Sequence, residues 1–118
     1  MKITIQTMVQ PYTHQDLDTA IKLAEAALEK GHEVGLFLFA DAVLATNTVV
    51  KPIRKDRNIP DILQQMVTER GLKVDICGIC MDYRGVTADM IIEGATPSGL
   101  PELAELVATS DRFISLMA

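Results

Sequence analysis

Two cysteines, Cys77 and Cys80, stand three residues apart in the stretch Val74-Asp75-Ile76-Cys77-Gly78-Ile79-Cys80-Met81-Asp82-Tyr83-Arg84-Gly85, where an apolar run gives way to turn-forming residues. A cysteine attacks sulfur as the thiolate, and a free thiol with a pKa of about 8.5 is only a few per cent ionised at neutral pH. Covalent chemistry at Cys77 therefore needs something that stabilises the anion. A helix beginning just after Cys77 would supply unpaired N–H groups and the positive end of its dipole, and Arg84 would approach from the far side of the turn. Gly78 has no Cβ to obstruct a small sulfur-bearing partner. Cys80 lies one helical turn onward, so a Cys77–Cys80 disulfide is conceivable if Cys77 stands at the helix start, giving a C-x-x-C redox pair. The same spacing fits two small core residues, since free cysteine is among the most buried residue types.

The other polar residues point to less. A zinc site would need about four ligands, and His14 and His32 lie in segments distant from the cysteines. His14 reads as a solvated residue near the first helix start. His32 follows Gly31 and reads as a partner for the carboxyl end of that helix. Asp41 reads as a helix cap, and the spacing of Asp82 and Glu93 gives no sign of an acid–base dyad. The chain has no G-x-G-x-x-G and no phosphate loop, so no nucleotide is expected.

The elements that must position Cys77 follow from periodicity. Residues 2 to 9 alternate polar and apolar side chains and suit a strand. Thr13 is placed to cap a helix whose face is Leu17, Ile21, Ala24 and Leu28, with Gly31 as its stop. Residues 34 to 39 form an apolar run of the kind found in a strand covered on both faces. A short helix from Asp41 to about Ala45 and an irregular stretch over 46 to 58 come next. Pro60 opens a second long helix, in which Ile62, Leu63, Met66 and Val67 make the buried stripe and Gly71 ends it.

Leu72 to Ile76 or Cys77 is a third strand. Residues 77 to 85 turn through a short helix, 87 to 93 read as helical, and 94 to 97 as a brief strand or loop. Ser98 is placed to cap a last helix with Leu100, Leu103, Ala104 and Val107 facing inward, and Arg112 to Met117 closes the chain as a strand. Strands alternating with helices predict a three-layer α/β/α sandwich with a mostly parallel sheet of about five strands. Such sheets hold ligands and reactive groups beyond the carboxyl ends of their strands, which is where Cys77 falls.

The bulk properties bound what this domain does. The 118 residues fit one domain, 1–118, able to stand without disulfide staples. Net charge is −5, and the one basic cluster, Lys51 to Arg57, is diluted by Pro52 and Asp56, which argues against a nucleic-acid partner. No apolar run approaches the ~20 residues that span a bilayer, and residues 1 to 3 do not open a signal peptide. The chain reads as cytoplasmic, a compartment in which two such cysteines are reactive thiols or core residues rather than a structural disulfide. Hydrophobic residues make up 48% and aromatics only 4%, so packing relies on aliphatic side chains and a further apolar surface is expected inside an oligomer.

Taken in order, several pieces resemble the DsrE/DsrF-like family, which includes sulfur-relay proteins of the TusD and DsrE type. They are the opening strand, loop and helix; Gly31-His32-Glu33-Val34 entering the second strand; Asp75-Ile76-Cys77 with Arg84-Gly85 after it; Ser98-Gly99-Leu100 opening the last helix; and Ser110-Asp111-Arg112 before the final strand. In that family the sulfur-carrying cysteine stands eight residues before the glycine of the Arg-Gly pair, and Cys77 stands eight before Gly85. The resemblance implies that Cys77 accepts sulfane sulfur as a persulfide and passes it to an acceptor thiol, as a sulfurtransferase. Cys80 does not match the TusD-like pattern, and some relatives lack the active cysteine. Sulfur is itself the cargo, so neither metal nor organic cofactor is implied. The partners implied are sulfur-donor and sulfur-acceptor proteins or small thiols, and the assembly a homo-oligomer, trimer or hexamer. A non-catalytic oligomeric structural or regulatory subunit and a Cys77/Cys80 dithiol redox protein are the alternatives.

Overall fold

A computed structural model describes residues 1–117. Five strands make one all-parallel sheet in the order β4-β3-β2-β1-β5, with β1 Lys2–Thr7, β2 Glu33–Leu38, β3 Lys73–Cys77, β4 Ala95–Ser98 and β5 Arg112–Leu116. The chain steps outward from β1 to β4 and then jumps back to place β5 on the other side of β1. Right-handed crossovers then put α1 (Asp16–Glu29) and α2 (Ile59–Arg70) on one face and α4 (Leu100–Thr109) on the other. This is the three-layer arrangement the alternation predicts.

Strand side chains alternate between the two faces of the sheet, and the face turned to α1 and α2 is aliphatic. Ile5, Val34, Leu36, Leu38, Val74 and Ile76 share one face and are buried in a core with Leu17, Ala20, Ile21 and Ala24 of α1 and Leu63 and Met66 of α2, while Phe37 is buried on the opposite face. Full burial of each large aliphatic side chain contributes about 1.5–3 kcal/mol before the entropy of ordering the chain is subtracted. The two long helices stop where glycine allows it: Gly31 and Gly71 take φ of +86° and +75°, a region that disfavours residues with a Cβ.

Several local expectations need correction. Thr13 does not cap α1, whose N-cap is Gln15 without a side-chain hydrogen bond. The start lies two residues later because Pro11 and the left-handed Tyr12 hold the preceding loop out of helical register. β1 ends at Thr7 rather than at residue 9, level with Leu38 and Leu116, the last residues of its neighbours. The segment from Asp41 is a 3₁₀ helix, Ala40–Thr46, and Asp41 caps nothing. Residues 87 to 93 contain only a 3₁₀ turn, Ala88–Met90, pinned through Thr46, Thr48 and the Asn47–Ile91 bridge.

Residues 95 to 98 form a full strand, and the N-cap of α4 is Gly99, because the Ser98 hydroxyl is turned to Asp75 at 2.6 Å. In α4 no residue is buried. Leu103 and Leu106 rest on the core, whereas Leu100 and Val107 are 65% and 46% exposed and Ala104 also faces out. The helix touches the sheet along one narrow stripe, so of the expected inward set only Leu103 rests on the core and Leu100, Ala104 and Val107 face away.

Candidate functional site

Cys77 is the last residue of β3 and the N-cap of α3, the five-residue helix Gly78–Asp82. Its backbone is still extended, with φ −62° and ψ 115°, while the residues after it turn helical. A helix leaves its first N–H groups without intrahelical partners, and an N-cap side chain normally accepts one of them. Here Sγ of Cys77 takes that part, accepting the Cys80 backbone N–H at 3.4 Å. The sulfur thus sits where unpaired N–H groups converge at the carboxyl edge of the sheet. The residue is 6% exposed and belongs to the core cluster, so most of it is shielded from solvent.

Cys80 is half-buried, and its sulfur accepts the backbone N–H of Ala40 at 3.3 Å. Burial first, and then a hydrogen bond to the Cys77 side chain, push the Cys80 thiol above its ordinary pKa, against the opposing pull of the Ala40 N–H and the Arg84 charge. Ala40 adopts φ +53°, an uncommon conformation for a residue with a Cβ, at the turn where β2 passes into the 3₁₀ helix.

Arg84 does not complete the Cys77 side of the site. It crosses to Asp41, donating from Nε at 2.7 Å with Nη2 2.6 Å from the same oxygen, and donates from Nη1 to the Cys80 carbonyl at 3.1 Å. Its charge therefore acts on Cys80. Sequence reasoning missed Asp41 as the partner of Arg84 and Ala40 as a donor to sulfur. The Asp41-to-Arg84 contact spans 43 positions and leaves no local pattern to detect.

Gly78 lines an open groove of about 510 Å³ with Ile79, Asp82, Thr87 and Pro97 among its walls. A Cβ at Gly78 would meet the Ser98 carbonyl at 3.6 Å, an ordinary contact, so the position does not demand glycine on steric grounds. Ile79 and Tyr83 project into solvent from the outer side of α3.

The remaining candidates lie elsewhere. His14 borders an open depression with Tyr12, Asp18 and Arg57, where Arg57 pairs with Asp18 at 2.5 Å. The His32 ring contacts the N-terminal amine at 2.9 Å through Nδ1 rather than the end of α1, because the chain has already turned into β2. Glu93 is tied through its backbone to Gln64, away from Asp82. Among the described residues no group of three or more His, Cys, Asp or Glu side chains is arranged to hold a metal, and no helix is long and apolar enough to cross a membrane.

Together these elements make a parallel α/β domain in which a cysteine closes an interior strand at the start of a helix. The chain belongs to the DsrE/DsrF-like family, whose sequence pattern matches residues 1–116. It is 30% identical to the DsrE protein of Allochromatium vinosum, with 97% of each chain covered. It is 28% identical to the sulfurtransferase TusD of Klebsiella pneumoniae, over 97% of this chain and 98% of that one. The crystal structure of the ychN protein from E. coli superposes with a TM-score of 0.88 at 30% identity, covering 98% of this chain and 99% of that one.

Proposed function

We propose that the protein is a sulfur carrier: Cys77 accepts sulfane sulfur as a persulfide and surrenders it to an acceptor thiol. The observation that supports this most is the position of the Cys77 sulfur at the start of α3, accepting a backbone N–H at 3.4 Å. At that place the sulfur stands beside the N–H groups that the first turn of a helix leaves without intrahelical partners. Kinship with proteins named sulfurtransferases points to the same chemistry.

In the proposed cycle the Cys77 thiolate attacks the outer sulfur of a donor persulfide, forming Cys77–S–SH and releasing the donor as its thiolate. An acceptor thiolate then takes that outer sulfur and returns Cys77 to its starting state. No electrons are gained or lost overall, because sulfane sulfur passes unchanged between thiols. The groove beside Gly78 and the exposed Ile79 and Tyr83 offer a place for donor and acceptor. The chain works in the cytoplasm, where thiols stay reduced, and as a homo-oligomer, trimer or hexamer, in which the outward apolar residues of α4 are covered.

Incubation with thiosulfate or glutathione persulfide followed by intact-mass measurement tests the proposal, with a gain of about 32 Da expected for one sulfur. Cys77→Ser abolishes the gain and Cys80→Ser keeps it. Equal loading of the Cys77→Ser protein rejects Cys77 as the carrier. A second reading, a non-catalytic oligomeric subunit with Cys77 as a core residue, draws on its 6% exposure. It predicts no adduct in any of the three proteins.

A further inference from the structure

We infer that Cys80 is a resolving thiol, which converts the Cys77 persulfide into a Cys77–Cys80 disulfide and expels the carried sulfur as sulfide. This inference rests on the carrier reading of Cys77 and adds a second exit for its cargo.

The geometry carries it. Cys77 is the N-cap of α3 and Cys80 the third residue of that helix, so their Cα atoms stand about 5 Å apart across one helical turn. Disulfides span Cα separations of roughly 4.4–6.8 Å, so this spacing admits one. The Cys77 sulfur already lies 3.4 Å from the Cys80 backbone nitrogen, against the first turn of the helix that carries Cys80. An added outer sulfur would sit one S–S bond, about 2.05 Å, beyond Sγ of Cys77. Attack on the inner sulfur, Sγ of Cys77, is the one that forms the bond this Cα spacing admits.

The Cys80 sulfur is also held in place by a second element. The Ala40 N–H donates to it at 3.3 Å, and the Arg84 bridge from Asp41 to the Cys80 carbonyl ties the turn after β2 to α3. The Ala40 bond fixes the sulfur itself from 40 positions away, and the Arg84 bond fixes the backbone that carries it. Both tethers place positive partial charge beside the Cys80 sulfur, which favours its thiolate at the moment of attack.

The step balances. The Cys80 thiolate attacks Sγ of Cys77, the bond between Sγ and the outer sulfur breaks, and the outer sulfur leaves as hydrosulfide with both electrons of that bond. The Cys80 proton is released to solvent or to the leaving hydrosulfide. The two cysteine sulfurs are oxidised to the disulfide while the sulfane sulfur is reduced to sulfide. A dithiol reductant restores both thiols. Burial holds Cys80 mostly protonated, so resolution is slow beside transfer and speeds up as pH rises.

The test loads the wild-type chain, Cys80→Ser and Cys80→Ala with glutathione persulfide, removes the donor, and follows released sulfide and intact mass. The expected wild-type result is about one equivalent of sulfide and a final mass about 2 Da below the reduced chain, while both variants hold the adduct roughly tenfold longer or more. A wild-type adduct as long-lived as that of the variants overturns the inference, as does migration of the extra sulfur to Cys80. Loading in the variants without resolution in the wild type leaves the carrier reading standing. Absence of loading in all three proteins overturns both.

Discussion

The backbone N–H of Cys80 meets the sulfur of Cys77 at 3.4 Å, so the residue ending β3 also caps the helix that follows it. One contact thereby joins the sheet to the thiol pair. It holds the Cys77 sulfur at the helix start and sets Cys80 one turn away.

The Arg84 guanidinium opposes the rise in the Cys80 pKa that burial causes. Arg84→Gln should therefore drive the Cys80 thiol further up. Iodoacetamide alkylation of Cys80 in a Cys77→Ser background, followed against pH, should show its midpoint move to higher pH. Both members of the Arg84–Asp41 pair are partly exposed, so the stability cost is expected to be about 0.5–1 kcal/mol by urea denaturation.

A thiol whose pKa is higher in the folded state than in the unfolded chain favours folding while it stays protonated. That contribution is complete below the unfolded thiol pKa of about 8.5 and is lost as pH rises through the folded value. Cys80 is such a group. Urea midpoints measured upward from about pH 8 should fall with pH, and Cys80→Ser should flatten the decline.

Thr7 is fully buried at the end of β1, and its hydroxyl has no hydrogen-bond partner among the described residues. An unsatisfied buried hydroxyl costs roughly 1–3 kcal/mol, and valine has nearly the same shape. Thr7→Val should raise the unfolding free energy by about 1 kcal/mol, measured by chemical denaturation. A loss of similar size would show that the hydroxyl is satisfied by water.

Two glycines should respond in opposite ways to alanine. At Gly94 a Cβ would lie 2.7 Å from Cγ1 of Val67, and φ is +86°. Gly94→Ala should cost about 1–3 kcal/mol from backbone strain and overpacking together. Gly78→Ala meets only an ordinary contact and should stay within about 1 kcal/mol of wild type, so any loss of sulfur loading there reports on access. Thermal unfolding of the two variants side by side checks the contrast.

The sheet and the cysteine's place in it were legible because both rest on local signals. The apolar run over 34 to 39 and the β-branched alternation after Lys2 specify strands, while Gly31 and Gly71 mark where helices must stop. Cys77 at a strand end was legible for the same reason. Its electrostatic surroundings were not. Arg84 has both Cys77 and Cys80 within seven positions, and only the turn after β2, brought back by the parallel crossover, decides that it pairs with Asp41 and acts on Cys80. The caps assigned to Thr13 and Ser98 failed for a related reason: Pro11 and Tyr12 delay α1, and Asp75 engages the Ser98 hydroxyl from a neighbouring strand. Periodicity in α4 identified an amphipathic helix without showing how little of it the sheet covers within one chain.

Peptide mapping after loading tests the central claim most directly. Trypsin cuts after Lys73 and after Arg84, releasing residues 74 to 84 with both cysteines in one fragment. The Cys80→Ser protein is loaded with glutathione persulfide, the persulfide is capped with an alkylating reagent, and fragment-ion spectra locate the added sulfur of about 32 Da. The account predicts that the extra sulfur lies on Cys77. A fragment alkylated at Cys77 with no added sulfur, under conditions that persulfidate glutathione itself, would contradict it.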